Sequence, residues 1–276
     1  MLVEQSGMEM PNNHKLCFTI NQHRTLPEIR SYRTLLQQGI YQGIEIFYPY
    51  DVSPSAQAEY HQGISELLLE KPEVVLHLPF GKDNDLCDST LRDEVTIRLK
   101  EAIHYGEALQ AKKFTLHLGY HHANRLDELK GLVPILQSLC CETPYMIMIE
   151  NMPRETEIGV APDEIYSLIE KAGCANLKFI LDTGHAHLSS YSFKEYIDRC
   201  GSLLMHMHWS DNRGQKDEHK PIGYGTIDFH DVLDLTSLYQ ELYCLEIIYQ
   251  TVDDLMAYAK TFNTLVQEHD SLHQKD

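Results

Sequence analysis

Short apolar runs alternate with longer stretches of helical periodicity along almost the whole chain. Runs of four to eight residues rich in Val, Ile, Phe and Tyr are typical of buried strands, whereas apolar residues three and four apart are typical of amphipathic helices. The pattern predicts eight strands, at residues 15–20, 43–49, 73–80, 113–120, 145–153, 177–182, 203–209 and 243–249. It predicts helical segments after them, at residues 26–38, 53–70, 89–111, 126–140, 162–172, 192–200, 228–241 and 252–268.

Eight strands alternating with eight helices, without a Pro/Gly/Ser-rich linker, predict an α/β fold of the (β/α)₈ TIM-barrel type in a single domain. The length of 276 residues agrees, since such barrels take about 250 residues. We expect the barrel to span residues 14–268, between a flexible N-terminal tail at 1–13 and a C-terminal tail at 269–276. Catalytic groups in this fold lie at the C-terminal ends of the strands.

Six consecutive predicted strands, the third to the eighth, carry a metal-competent side chain near the C-terminal end. These residues are His77, His117, Glu150, Asp182, His208 and Glu246. Imidazole and carboxylate groups are ligands for zinc, manganese and iron. A single strand histidine is more often a satisfied core residue, but six such residues at one rim predict a metal site.

Two further stretches of the chain add candidate metal ligands. The sixth strand ends in Asp182, where Thr183–Gly184 are predicted to form a turn that brings His185 to the rim. An aspartate at a strand end is also a common turn former. The long loop at 210–226 contains Asp217 and His219, a D-x-H pair suited to another cation, although charged loop residues are often simply solvated.

The seventh strand carries His206 and His208 on one face, because side chains alternate with period two. His208 is nearer the rim, and His206 is expected one layer deeper. Cationic residues follow several strand ends and could hold a phosphate or carboxylate of a substrate. They are Lys82, Arg125, Arg154, Arg213 and Lys220, of which Arg213, close behind His208, is the preferred candidate.

The composition of the chain narrows the range of functions to be considered. The net charge of −18 disfavours nucleic acid as a partner, because nucleic-acid binding normally uses a basic face. Seven cysteines without a CxxC pair indicate reduced core residues, with no metal role expected. No apolar run approaches the roughly 18 residues of a membrane span, and no signal peptide is recognisable, so a cytoplasmic protein is expected.

Together these motifs resemble the xylose isomerase-like TIM-barrel superfamily, which includes sugar phosphate isomerases and epimerases and abasic-site nucleases of the endonuclease IV type. The resemblance covers about residues 15–268. Its carriers are HLPF at His77, HLG at His117, IEN at Glu150, LDTGH at 181–185, HWSDN at His208, DEHKPIGYGTIDF at 217–229 and LEI at Glu246.

Resemblance to the ketose epimerases implies that four residues hold one divalent ion: Glu150, Asp182, His208 and Glu246. It also implies that Glu150 and Glu246 act as an acid/base pair on opposite faces of the substrate, while His185 and Arg213 hold substrate oxygens. A metal-bound carbonyl acidifies the neighbouring C–H bond, which a carboxylate can then deprotonate.

Resemblance to endonuclease IV implies three zinc ions instead. Their ligands would be His77, His117 and Glu150 for the first, Glu150, Asp182, His208 and Glu246 for the second, and His185, Asp217 and His219 for the third. All nine positions carry the expected residue types. One to three ions of Mn, Zn, Mg or Co are therefore expected per chain.

The favoured interpretation is a metal-dependent isomerase or epimerase that acts on a small-molecule substrate, such as a sugar, a sugar phosphate or a related hydroxy-keto compound. A trinuclear-zinc phosphodiesterase, a dehydratase on the same barrel and a non-catalytic binding role remain alternatives. The sequence does not distinguish a monomer from a homo-oligomer.

Overall fold

The computed structural model describes residues 14–273, and the predicted N-terminal tail lies outside them. Eight parallel strands form a closed barrel in chain order, with β8 pairing back onto β1. They are β1 Lys15–Ile20, β2 Gly43–Phe47, β3 Glu73–His77, β4 Lys113–Leu116, β5 Met146–Glu150, β6 Leu177–Asp182, β7 Leu204–Trp209 and β8 Leu242–Leu245. The predicted (β/α)₈ barrel is confirmed.

Ten α-helices surround the strands of the described chain. They are α1 Leu26–Ser31, α2 Arg33–Gln37, α3 Pro54–Leu67, α4 Arg92–Ala108, α5 Arg125–Glu142, α6 Pro162–Ala172, α7 Thr183–Leu188, α8 Phe193–Cys200, α9 Phe229–Leu235 and α10 Val252–His273. Single 3₁₀ turns lie at Leu68–Glu70, Lys82–Asn84 and Gly201–Leu203. None of the helices within residues 14–273 has both the length and the apolar character to cross a bilayer.

Two local predictions are corrected. The predicted turn at Thr183–Gly184 is the first turn of α7, because Asp182 Oδ1 accepts a hydrogen bond from the His185 backbone N–H at 2.6 Å and caps the helix. The C-terminal tail does not begin at residue 269, since α10 continues to His273. His269 and His273 both bind Asp234 Oδ1, at 2.8 and 2.5 Å, which holds this last turn against α9.

The core has two parts. A large apolar layer lies between the strands and the helices, and it includes Phe18, Phe179 and Trp209. A smaller cluster fills the barrel interior, with residues such as Val75 and Met148. Strands β2, β3, β4, β5 and β8 end earlier than predicted, because the residues beyond them leave the ladder and form the loops of the C-terminal rim.

Candidate metal centre

Glu150, the last residue of β5, lies between two groups of histidines. Its Oε2 atom is 2.9 Å from His117 Nε2 and 3.6 Å from His77 Nε2. Its Oε1 atom is 3.2 Å from His208 Nδ1. The Glu150 side chain is only 1% exposed, so both oxygens face protein groups and not solvent. The carboxylate is placed to bridge two cation sites.

The second group contains three carboxylates around one imidazole. His208 Nδ1 lies 3.1 Å from Glu246 Oε2, 3.2 Å from Glu150 Oε1 and 3.7 Å from Asp182 Oδ2. One donor atom from each of the four residues falls within 4.8 Å of the others. The structure therefore brings together four of the side chains predicted at strand ends.

The surroundings of Asp182 show whether these residues fit a cation. Its Oδ2 atom is buried and has no hydrogen-bond partner within residues 14–273. Burial, together with the nearby charges of Glu150 and Glu246, raises the pKa of Asp182 to about 7, against the opposing effect of His185. An unpaired buried oxygen among repelling carboxylates is stabilised by a divalent ion, so the residues present fit a metal.

The donor atoms of the third predicted group, His185, Asp217 and His219, are less closely clustered than those of the other two groups. Asp217 Oδ2 lies 3.2 Å from His185 Nε2 and 3.0 Å from His219 Nε2, so it joins the two rings. Asp217 Oδ1 is buried without a hydrogen-bond partner in the described chain. Burial lowers the pKa of His219, but the Asp217 hydrogen bond and the Glu246 charge outweigh it and raise the pKa to about 10. The long loop after β7 thus folds back over the rim.

In four of the histidines, one ring nitrogen makes a hydrogen bond to a protein acceptor. The other ring nitrogen faces a carboxylate. We assign the N–H of each ring to the nitrogen that meets a protein acceptor. The pairs are His77 Nδ1 with Leu78 O at 2.9 Å, His185 Nδ1 with Asn151 O at 2.9 Å, His219 Nδ1 with Glu246 O at 3.1 Å and His208 Nε2 with Glu45 Oε2 at 2.8 Å. Such bonds orient metal-ligating histidines and fix their tautomers.

Glu45 was missed by the sequence reasoning. It lies within β2 and is fully buried, and its Oε2 atom accepts hydrogen bonds from His206 Nε2 at 2.9 Å and His208 Nε2 at 2.8 Å. Its Oε1 atom accepts from Thr115 Oγ1 at 2.8 Å. The available signal was a carboxylate in the apolar strand GIEIF, but only strand ends were considered. His206 lies one layer below His208, as predicted.

A pocket of about 520 Å³ opens next to these groups. Its lining includes Phe47, Phe80, His219, Glu246 and Ile248. The Glu246 side chain is 12% exposed, against 1% for Glu150. Of the two predicted acid/base residues, Glu246 therefore faces the pocket while Glu150 is enclosed by histidines.

The arginine that lines the pocket is not the one predicted to hold the substrate. Arg24, in the loop after β1, lines the pocket and is held by Glu28 Oε1 at 2.9 Å and the Tyr249 carbonyl oxygen at 2.6 Å. Arg213 is exposed on the loop after β7, and its guanidinium makes no hydrogen bond or ion pair within the described chain. Its substrate contact stays a prediction. Arg24 was overlooked because cations were sought only from the third strand onward.

The remaining predicted cations lie around the rim. Arg125 is paired with Glu164 and also donates to the carbonyl oxygens of Glu155 and Glu157, so it is occupied in joining two loops. Three others are exposed: Lys82, Arg154 and Lys220. The described residues do not form a continuous cationic ring facing the pocket.

The family model of the xylose isomerase-like TIM barrel matches residues 36–264. The chain belongs to this family. Among solved structures, this xylose isomerase-like barrel superposes on a D-tagatose 3-epimerase-like protein with a TM-score of 0.72 and 21% identity, covering 94% of this chain and 98% of the other. At that identity the likeness concerns the fold.

Sequence relatives include proteins with different names. An uncharacterized protein, MJ1311, of Methanocaldococcus jannaschii is 27% identical over 173 residues, 59% of each chain. A "Probable endonuclease 4" of Mesoplasma florum is 27% identical over 192 residues, 63% of this chain and 66% of the relative. The chain thus spans less than two thirds of the length of these two relatives.

Proposed function

We propose that this barrel is a divalent-metal-dependent isomerase or epimerase acting on a sugar, a sugar phosphate or a related hydroxy-keto compound. The position of Glu246 carries the proposal. Its carboxylate lies 3.1 Å from His208 Nδ1, within the cluster that it forms with Glu150 and Asp182. The same residue also lines the pocket. One residue can thus contact both a metal-bound substrate and the C–H bond to be broken.

The metal would be held by Glu150, Asp182, His208 and Glu246, and additional ions by the two flanking groups. A bound divalent ion such as Mn²⁺, Zn²⁺, Mg²⁺ or Co²⁺ would polarise a carbonyl and its neighbouring hydroxyl and so acidify the C–H bond between them. Glu246 Oε atoms then accept that proton from the pocket side. In our proposal Glu150 is the second member of the acid/base pair and returns to the carbon a proton that it receives from His117, whose Nε2 atom lies 2.9 Å from Glu150 Oε2.

The pocket lining suits a small polar substrate. Arg24 offers a cationic group whose fork is already oriented by Glu28 and Tyr249, and it can hold a hydroxyl, carboxylate or phosphate oxygen. Phe47 and Phe80 also line the pocket, and their rings offer apolar surface to the hydrophobic face of a sugar ring. A volume of about 520 Å³ is within the usual range of roughly 300–1,000 Å³ for small-molecule sites.

A second candidate is a trinuclear-zinc phosphodiesterase of the endonuclease IV kind. The observation that favours it is Asp217, which joins His185 and His219 into a third ligand group next to the other two. The named relative from Mesoplasma florum points the same way. The charge of −18 and the lack of a basic rim around the described pocket favour the small substrate. A dehydratase would use the same deprotonation, followed by loss of a neighbouring hydroxyl.

Solvent hydrogen exchange tests the proposal. Metal-loaded protein would be incubated in D₂O with ketoses and ketose phosphates, and deuterium at carbon would be measured by mass spectrometry and NMR. Glu246→Gln should abolish exchange, and Glu59→Gln, on the exposed face of α3, should not. Cleavage of phosphodiesters in H₂¹⁸O with ¹⁸O in the product, and no deuterium exchange with any of the ketoses, would overturn it in favour of the second candidate.

A further inference from the structure

A second cluster of metal-competent side chains lies inside the barrel, below the rim groups. Cys17 of β1 and Cys244 of β8 are register partners on adjacent parallel strands, and Glu45 of β2 and His206 of β7 complete the cluster. All four residues are fully buried. One donor atom from each lies within 4.8 Å of the others. None of the rim ligands belongs to this cluster.

His206 supplies an independent sign of a missing partner. Its Nε2–H donates to Glu45 Oε2 at 2.9 Å, which leaves the lone pair on Nδ1. Nδ1 is buried and makes no hydrogen bond of normal geometry within residues 14–273, although the Cys17 thiol lies close enough to interact with this ring. A buried polar atom without a well-formed bond destabilises the fold, and a metal bond removes that cost.

An irregularity in the sheet accompanies this residue. The register between β6 and β7 shifts, so that Phe179 pairs with Leu204 but Ile180 pairs with His206. Met205 is the extra residue, and it packs against the interior cluster. Bulges of this kind re-aim side chains and recur next to functional sites.

Glu45 orients both histidines of β7. Its Oε2 atom accepts from His206 and His208, and its Oε1 atom accepts from Thr115, so the carboxylate is held in place by three hydrogen bonds. Because Glu45 also binds His208, a cation in the barrel interior would be linked through this carboxylate to the rim centre.

We propose that Cys17, Cys244 and His206 Nδ1 bind a zinc ion inside the barrel, while Glu45 on the opposite ring nitrogen is the carboxylate that orients the imidazole. Two thiolates and one imidazole are ligands typical of tetrahedral zinc, and the fourth position is left for a water molecule. Tetrahedral bonds of about 2.0–2.3 Å place the donor atoms roughly 3.3–3.8 Å apart, so donor atoms within 4.8 Å of one another need only a small contraction. Binding releases the two thiol protons to solvent.

X-ray absorption at the zinc edge tests this on the unaltered protein, expressed with zinc and purified without chelator. The rim groups offer only nitrogen and oxygen donors, so a sulfur scatterer at about 2.3 Å reports the interior site alone. Cys17→Ser and Cys244→Ser should each remove the sulfur signal and about one zinc per chain. Cys200→Ser, a buried cysteine that donates to the Pro162 carbonyl oxygen, is the matched control and should keep both.

A zinc-loaded native protein whose spectrum fits nitrogen and oxygen ligands alone would overturn the proposal, even if the serine variants fail to fold. An unchanged sulfur signal in both folded variants would do the same. Neither result bears on the chemistry proposed for the rim. Cobalt substitution gives a second readout, because thiolate coordination produces a charge-transfer absorption that nitrogen and oxygen ligands do not.

Discussion

His208 Nε2 lies 2.8 Å from Glu45 Oε2, and this single hydrogen bond determines which ring nitrogen faces the rim. With the proton on Nε2, the Nδ1 lone pair points to Glu150, Asp182 and Glu246. Glu45 thus orients an imidazole of the candidate metal centre without belonging to that group of residues. A buried carboxylate in this position also raises the basicity of the imidazole.

Replacing Glu45 by Gln should weaken metal binding at the rim by about 10–100-fold, the usual cost of losing such a hydrogen-bonded carboxylate. The amide keeps the shape but removes the charge that orients both histidines. Competition with a fluorescent chelator measures the affinity. Glu73→Gln, at the exposed start of β3 where it pairs with Lys15, is the control and should bind metal normally. Equal affinity in the two variants would contradict the assignment.

Glu150 and Glu246 should differ when each is replaced by Gln. Glu246→Gln should reduce turnover by about 10²–10⁴-fold with most of the metal retained, since it removes a general base at the edge of the ligand group. Glu150→Gln should also lose metal, because both of its oxygens contact ligand groups. Kinetics and elemental analysis on the same preparations check this. Full metal content in Glu150→Gln would argue against its bridging role.

Removal of metal should destabilise the protein as well as inactivate it. Three carboxylates and several imidazoles converge at the rim, and the unpaired Asp182 Oδ2 atom loses its compensating cation. A metal present at a thousandfold excess over its Kd contributes about 4 kcal/mol to the free energy of unfolding. Thermal unfolding with and without chelator gives the difference. Added Mn²⁺, Co²⁺ or Zn²⁺ should restore stability and part of the activity, whereas full activity without metal would contradict the centre.

The number of rim metals depends on Asp217. If the third group binds an ion, Asp217→Asn should lower the metal content by about one per chain, because Asp217 Oδ2 joins His185 and His219. Glu218→Gln alters the neighbouring residue, whose carboxylate accepts a hydrogen bond from the Arg213 backbone N–H, and should leave the count unchanged. No change in Asp217→Asn would leave one or two ions and strengthen the isomerase proposal over the hydrolase.

Duplex DNA should bind weakly at physiological salt. Non-specific affinity comes mainly from neutralised phosphates, and the chain has a net charge of −18 with Arg125 already paired to Glu164. Titration of a labelled abasic-site duplex over a range of salt concentrations tests this. Tight binding that falls steeply with salt would reverse the ranking of the two candidate functions.

The sequence alone determined the barrel and most of the rim. Alternating apolar runs and helical periods fix which residues form strands, and parallel strands in a closed barrel bring all their C-terminal ends to one rim. Residues such as Asp182 and His208 could therefore be identified without coordinates. Local pattern was sufficient, because the position of a side chain at a strand end follows from the strand itself.

Only the tertiary structure decided which groups meet across the barrel. Glu45 lies 161 and 163 positions before the two histidines it binds, and Arg24 is held by the carbonyl oxygen of Tyr249, 225 residues away. Such contacts depend on barrel closure, on the depth of each residue below the rim and on the register shift between β6 and β7 next to His206. Sequence periodicity describes each strand separately, and it contains no information on distances between strands that are far apart in the chain.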